Sequence, residues 1–167
     1  MLHIYCGNGK GKTTAALGLA LRAAGSGMRV HFVQFLKGSD TSELNSLARI
    51  PEITVLRCDR NYGFTFRMTE ADKAALTACH NAMLQTIQER LPETDLLILD
   101  EFCAAYNQKL LDCDFAEQLI ADCKTELVLT GRNPAEKFLA MADYISEIQA
   151  VRHPYEKGIA ARKGIEF

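Results

Sequence analysis

Short apolar runs alternate along this chain with longer stripes of helical period, the arrangement of a parallel sheet covered on both faces. Leu2–Cys6 reads as a first strand. Lys12–Ala24, nearly all alanine and leucine, reads as a helix that stops at Gly25 and Gly27. A helix this apolar is expected to pack into the core rather than lie on the surface. Arg29–Leu36 and Ile53–Arg57 read as the next strands, with a polar loop and short helix over Lys37–Asn45 between them. Thr69 and Asp72 make a capping box, after which Leu76, Cys79, Met83, Ile87 and Leu91 share one face of a long helix ended by Pro92. Asp95–Asp100 is a continuous apolar strand bounded by acids. Asp114 with Glu117 opens another helix, and Glu126–Thr130 is a further buried strand. Asn133-Pro134-Ala135-Glu136 offers a cap, an early proline and a third-position glutamate for a last helix. Tyr144–Val151 then reads as an edge strand. The pattern predicts one α/β domain over residues 1–167, with the loops that follow the strands gathered on one rim.

Composition narrows the function classes. A chain of 167 residues, 48% of them hydrophobic, buries a core of ordinary size, and a net charge of −2 gives no basic excess for nucleic acid. No window approaches the roughly 20 apolar residues of a membrane span. The first residues lack a charged lead before an apolar run, so no secretory signal is read and a cytoplasmic location is expected. Cys6, Cys58, Cys79, Cys103, Cys113 and Cys123 are scattered, with no C-x-x-C pair. All six are expected to be reduced packing residues, Cys6 and Cys103 standing out only for the motifs beside them.

Those motifs carry the chemistry. Between the first strand and first helix runs Gly7-Asn8-Gly9-Lys10-Gly11-Lys12-Thr13-Thr14. Its glycines let the backbone curl so that successive N–H groups face an anion. Lys12 adds a point charge, and Thr13 offers a hydroxyl to Mg²⁺ at a helix N-terminus. This is a cradle for a nucleoside triphosphate, and it makes the predicted fold a P-loop NTPase (RecA-like) three-layer sandwich around a mostly parallel sheet. The spacing departs from G-x-x-x-x-G-K-[ST]: Cys6 stands where the first glycine belongs, so the loop measured from Gly7 is one residue short. Asp95–Glu101 fits the companion acidic strand, and Thr13 with Asp100 or Glu101 supplies hard oxygens for the ion. Gln34, Phe35, Lys37 and Gly38 end on the same rim, as do Thr130, Gly131 and Arg132. Lys37 and Arg132 are placed to reach phosphate oxygens or to remain solvated surface cations. Gly63-Phe64-Thr65-Phe66 has two readings, a flap over a large flat ligand or a plug for the core, and periodicity alone favours the plug. None of His3, His31, His80 and His153 has a partner at ligand spacing; His31 and His80 read as packed or surface residues.

Together these residues resemble the P-loop ATP:corrinoid adenosyltransferases of the CobA/BtuR type. The likeness covers nearly the whole chain: Gly7–Thr14 with Ala15-Ala16, Gln34–Gly38, Gly63–Phe66, Leu99-Asp100-Glu101, Thr130-Gly131-Arg132, and the tail Gly158-Ile159-Ala160-Ala161 ending in Gly164-Ile165-Glu166-Phe167. The shortened loop is that family's own form. The resemblance implies that ATP, with Mg²⁺ or Mn²⁺, lies reversed in the cradle. Gly7, Asn8, Gly9, Lys10, Gly11, Lys12, Thr13 and Thr14, with Gln34, Lys37 and Arg132, then hold the triphosphate as a leaving group, and Thr13, Asp100 and Glu101 serve the metal. The cobalt(I) of a reduced corrinoid (cobalamin, cobinamide or a relative) attacks the ribose 5′ carbon, so no catalytic base is needed. Lys12 and Thr13 stabilise the leaving charge. Phe64 and Phe66 match the aromatic pair that excludes the lower axial ligand of cobalt; tryptophan is usual at the second place, and Phe66 keeps the ring without the indole N–H. The resemblance thus reverses the preference for a plug. It also implies a flavodoxin-like reductase as electron donor and a homodimer. Many members carry an N-terminal extension that helps close the corrinoid site, whereas this sequence starts on its first strand. The competing reading is a RecA-like phosphotransferase or ATPase such as a nucleoside kinase, against which the zinc-ligand cysteines of thymidine kinases are missing.

Overall fold

The structure, a computed structural model, describes residues 1–39, 41–63 and 65–166. Its centre is a sheet of six strands, β1 (Leu2–Cys6), β2 (Val30–Gln34), β3 (Ile53–Arg57), β4 (Leu96–Asp100), β5 (Glu126–Thr130) and β6 (Tyr144–Glu147). They lie in the order β3-β2-β4-β5-β1-β6. Every pairing is parallel, so the C-terminal ends of all six strands meet one rim. β2 and β4 are buried along their whole length; β4 reads as an apolar run for that reason, whereas β2 takes His31 and Gln34 inside with its apolar residues.

Side chains alternate across the sheet and split the core in two. On one face Val30, Phe32, Leu96, Ile98 and Val128 meet α1 (Lys12–Gly25) and α2 (Glu43–Leu47). On the other, Ile4, Val33, Leu97, Leu99 and Leu129 meet α3 (Glu70–Arg90), α4 (Phe102–Asn107), α5 (Cys113–Asp122) and α6 (Glu136–Met141). This is the three-layer P-loop sandwich the sequence predicts. β5 lies between the strand that leads into the glycine loop and the strand that ends in Asp100.

Several local expectations change. α1 buries only Ala16, Ala20, Ala23 and Ala24 of its hydrophobic residues; that stripe lets the helix lie close to the sheet, while Leu21 stays 59% exposed. An outer-layer helix has one inner face however apolar its sequence. α4 was not expected, being six residues long and following the acids without a pause. The cap of α5 is Asp112, whose carboxylate accepts from the Phe115 N–H at 3.0 Å, and not Asp114. α6 starts behind Ala135, because Asn133 turns left-handed with φ 50°. β6 is indeed an edge strand, though shorter than expected. The expectation of six reduced cysteines fails for one pair: Cys58, just past β3, is disulfide-bonded to Cys79 on α3. No spacing rule reports such a pair, since tertiary packing alone brings the two sulfurs together.

Candidate active site

The glycine loop leaves β1 at Gly7 and enters α1 at Gly11, both with left-handed φ (98° and 125°) that a side chain disfavours. Gly7 and Gly9 also lack room for a Cβ. At Gly9 it would lie 2.7 Å from the Gln149 carbonyl carbon, and at Gly7 it would strike the Ile148 backbone. The segment after β6 therefore backs the loop. The Gly9 N–H donates to the Ile148 carbonyl at 2.7 Å, and the Ala150 N–H donates to Asn8 Oδ1 at 3.0 Å. One amide expected to face an anion thus fastens the loop instead. The first turn of α1 has no side-chain cap, and its leading amides, those of Lys12, Thr13 and Thr14, have no acceptor within the helix. Lys12 is 8% exposed and donates to the Gly7 and Gly9 carbonyls at 2.8 and 2.9 Å, so the loop curls around its ammonium. Burial, before any other influence, lowers the Lys12 pKa.

The acidic side of the site hangs from three adjacent strand ends. Gln34 is in register with Asp100, and Thr130 follows one strand over, all three on the α1 face. Asp100 is fully buried. Its Oδ1 accepts from the hydroxyls of Thr13 (2.9 Å) and Thr130 (2.7 Å), and its Oδ2 from the Lys37 ammonium at 2.7 Å. Lys37 Nζ also stands 3.4 Å from Thr13 Oγ1, so a cationic group already bridges the two oxygens predicted to serve a metal. Hard oxygen donors around a seated positive charge fit Mg²⁺ or Mn²⁺ in kind. Among the described residues no cluster of three His, Cys, Asp or Glu is placed to hold a metal by itself, so phosphate oxygens would have to complete the coordination. Glu101 takes a left-handed turn (φ 58°), its N–H donating to Thr130 Oγ1 at 2.9 Å. Burial first, and the Asp100 charge second, raise the pKa of its carboxyl.

A cavity of about 200 Å³ opens over the loop, lined by Lys10–Thr14, Glu101 and Arg132 and roofed by Ile165 and Glu166 of the C-terminal tail. It is flanked by two larger ones, about 530 Å³ on the Arg132 side and about 510 Å³ on the Lys37 side. The structure thus brings together Gly7–Thr14, Lys37, Asp100, Glu101 and Arg132. Lys10, Thr14 and Arg132 are exposed there. Gln34 differs: it is wholly buried, with its amide directed to Glu43 and Arg57, each at 3.4 Å. Phe66 sits on a 3₁₀ turn (Thr65–Arg67), 77% exposed, which removes the core-plug reading for that ring; Tyr62 and Met68 on either side do the anchoring. Phe64 lies outside the described residues. Cys6 and Cys103 are packing residues beside the loop, and burial pushes the Cys103 thiol up to about 12. The sequence placed Ile148–Ala150 in an edge strand and marked the tail only by its likeness to a family; that the first backs the loop and the second roofs the cavity has no periodicity or spacing signal.

The family model for ATP:corrinoid adenosyltransferase BtuR/CobO/CobP matches residues 1–167. This chain belongs to that family. The corrinoid adenosyltransferase of Pseudomonas aeruginosa is 33% identical over 175 residues, an alignment covering 100% of this chain and 83% of that protein. Corrinoid adenosyltransferase CobA of Salmonella typhimurium is 31% identical over 169 residues, and that of Escherichia coli K12 is 30% identical over 171; each alignment covers 100% of this chain and 85% of the relative. As an ATP:corrinoid adenosyltransferase the chain is an enzyme of ATP-dependent adenosyl transfer to a corrinoid. The phosphotransferase alternative is not favoured. Among the described residues of this adenosyltransferase, no helix is long and apolar enough to cross a membrane.

Proposed function

We propose that residues 7–14 grip the triphosphate of ATP as a leaving group while the cobalt(I) of the corrinoid attacks the ribose 5′ carbon. A cobalt–carbon bond forms, the C5′–O bond breaks, and its electron pair leaves on triphosphate. The observation that carries this reading is the convergence of Lys12, Lys37 and the uncapped first turn of α1 on one point of the rim. Groups fixed in advance where charge will grow stabilise the transition state without reorganising. Lys12 keeps the loop curled before ATP arrives, because its ammonium already ties Gly7 to Gly9. Arg132 lines the same cavity and adds a planar charge suited to phosphate oxygens.

Thr13 and Asp100, with Glu101 beside them, are the residues that would hold Mg²⁺ or Mn²⁺, and such an ion, when bound, neutralises triphosphate charge. Lys37 marks the place by bridging Asp100 and Thr13. Phe66, exposed on its turn, offers an apolar ring to the corrinoid, and Phe64 is assigned the same role from the resemblance. A homodimer and a flavodoxin-like reductase are carried over from the resemblance as well, and a cytoplasmic setting from the reading of the first residues. The deciding assay is anaerobic incubation with MgATP and a chemically reduced corrinoid. Light-sensitive adenosylcorrinoid and triphosphate in equal amounts are expected. ADP without a cobalt–carbon bond would refute the proposal.

A further inference from the structure

His80 sits on α3, away from the glycine loop, and nothing above gives it a task. It is fully buried, its ring edge-on to Phe35 at 5.1 Å. Two hydrogen bonds fix its protonation. Nδ1 lies 2.7 Å from the Leu110 carbonyl, which only accepts, so Nδ1 carries the proton. Nε2 accepts from the Leu36 N–H at 3.2 Å, which only donates, so Nε2 carries the lone pair. Burial supports the neutral ring by lowering its pKa.

Leu36 is the residue that matters. The Phe35 N–H still reaches a strand partner, donating to the Asp100 carbonyl at 3.0 Å. The next amide, that of Leu36, has run past the sheet and goes to His80 instead. At that step the chain turns left-handed, with φ 59° at Leu36, a conformation that disfavours any residue with a Cβ and persists only where the surroundings impose it. Lys37 follows immediately and carries its ammonium to Asp100 and Thr13. Relaxing Leu36 to an ordinary α or β conformation swings φ by roughly 120° and points the Lys37 side chain elsewhere.

We propose that His80 is a positioning residue for adenosyl transfer: its Nε2 holds Leu36 in the left-handed turn that delivers Lys37 to the triphosphate site. The proposal rests on the role assigned above to Lys37. Two amide variants separate the bonds of the ring. The oxygen of Gln extends as far as Nε2 and can accept from Leu36, whereas Asn reaches only the Nδ1 position, toward Leu110. His80→Gln is expected to keep kcat/KM for ATP within about threefold of the parent enzyme, and His80→Asn to lose about tenfold, the cost of one buried hydrogen bond left unmade. The loss includes kcat, because Lys37 acts on charge that grows in the transition state, while both variants melt at similar temperatures. A double-mutant cycle then tests the route: in a Lys37→Met background, His80→Asn should cost less than about twofold, because the side chain it positions is gone. Equal kcat/KM for the two His80 variants overturns the proposal, as does full additivity with Lys37→Met. Full activity of Lys37→Met alone removes the reading of Lys37 and the proposal with it. A Lys37→Met loss with additive His80→Asn removes the proposal only.

Discussion

Gly38 touches the two loops that matter most for the proposed reaction, and Gly38→Ala is the sharpest probe of how they fit. Its φ is not in the left-handed region, so alanine meets no backbone objection there. Space is the whole issue. A Cβ at Gly38 would stand 2.5 Å from the Asn61 Cα and 2.7 Å from the Arg60 carbonyl carbon, both backbone atoms that no rotamer change can move. Carbon atoms prefer separations of about 3.5–4.0 Å, so the Lys37 loop and the segment leading to Phe66 must part by roughly 1 Å. Overpacking of this kind costs about 1–3 kcal/mol. At about 2–4 °C per kcal/mol for a chain of this size, the melting temperature should fall by about 2–12 °C. Catalysis should suffer further, because displacement by about 1 Å can cost up to about a hundredfold in rate, and Lys37 holds Asp100 at 2.7 Å. The assay is thermal unfolding alongside kcat/KM for ATP and for corrinoid. Gly18→Ala is the control: Gly18 lies mid-helix in α1 with nothing within 4 Å of its would-be Cβ, so alanine should raise stability by about 0.5–1 kcal/mol through helix propensity alone. If Gly38→Ala melts and turns over like the parent enzyme, the close approach of the two loops is not a constraint and the reasoning fails.

Three other outcomes are expected. Burial holds His31 and His80 below their ordinary value of 6.5, so the unfolded chain binds protons the folded chain refuses. Stability is then full above about pH 6.5 and falls as pH drops toward the lowered folded values. Melting temperatures between about pH 7 and 5 should show that slope, reduced in His80→Gln; an identical slope there would place the acid sensitivity in other groups. The Cys58–Cys79 bond closes a loop across the aromatic segment, and Cys58→Ser should lose about 3 kcal/mol of stability. A dithiol reductant should lower the melting point of the parent protein and leave Cys58→Ser unmoved; equal sensitivity of both would argue against the bond. Phe66→Ala should slow adenosylation mainly when cobalt(II) must be reduced on the enzyme, and an equal loss with pre-reduced cobalt(I) would count against the role given to that ring.

The sheet was legible wherever a strand is short, apolar and bounded by polar residues. β1, β3 and β5 fall on the residues the pattern marks, and Thr69 and Asp72 do form a reciprocal capping box. Local chemistry misled where two caps compete. Asp112 and Asp114 are equally good in sequence, and only the packing of Ala116, Leu119 and Ile120 selects the first. At the site, residue types and spacing pointed to Lys12, Thr13, Asp100 and Lys37. They said nothing of which oxygen each group meets. His80 shows the limit best: the sequence left it as a packed or surface residue of a helix, and its partners, Leu36 and Leu110, come from two distant loops. Adjacent Cys79 and His80 together tie three segments of the rim to one helical turn.

The backing of the glycine loop has a consequence for how the protein is made. Among the described residues β1 pairs with β5 and β6 alone, and the Gly9 amide is fastened to Ile148. The earliest strand of this sheet therefore waits until β5 and β6 have been made before it has a neighbour. Contacts so distant in sequence are slow to form. The nucleotide loop should acquire its shape late in folding, and nascent chains that stop short of residue 148 should show no affinity for ATP.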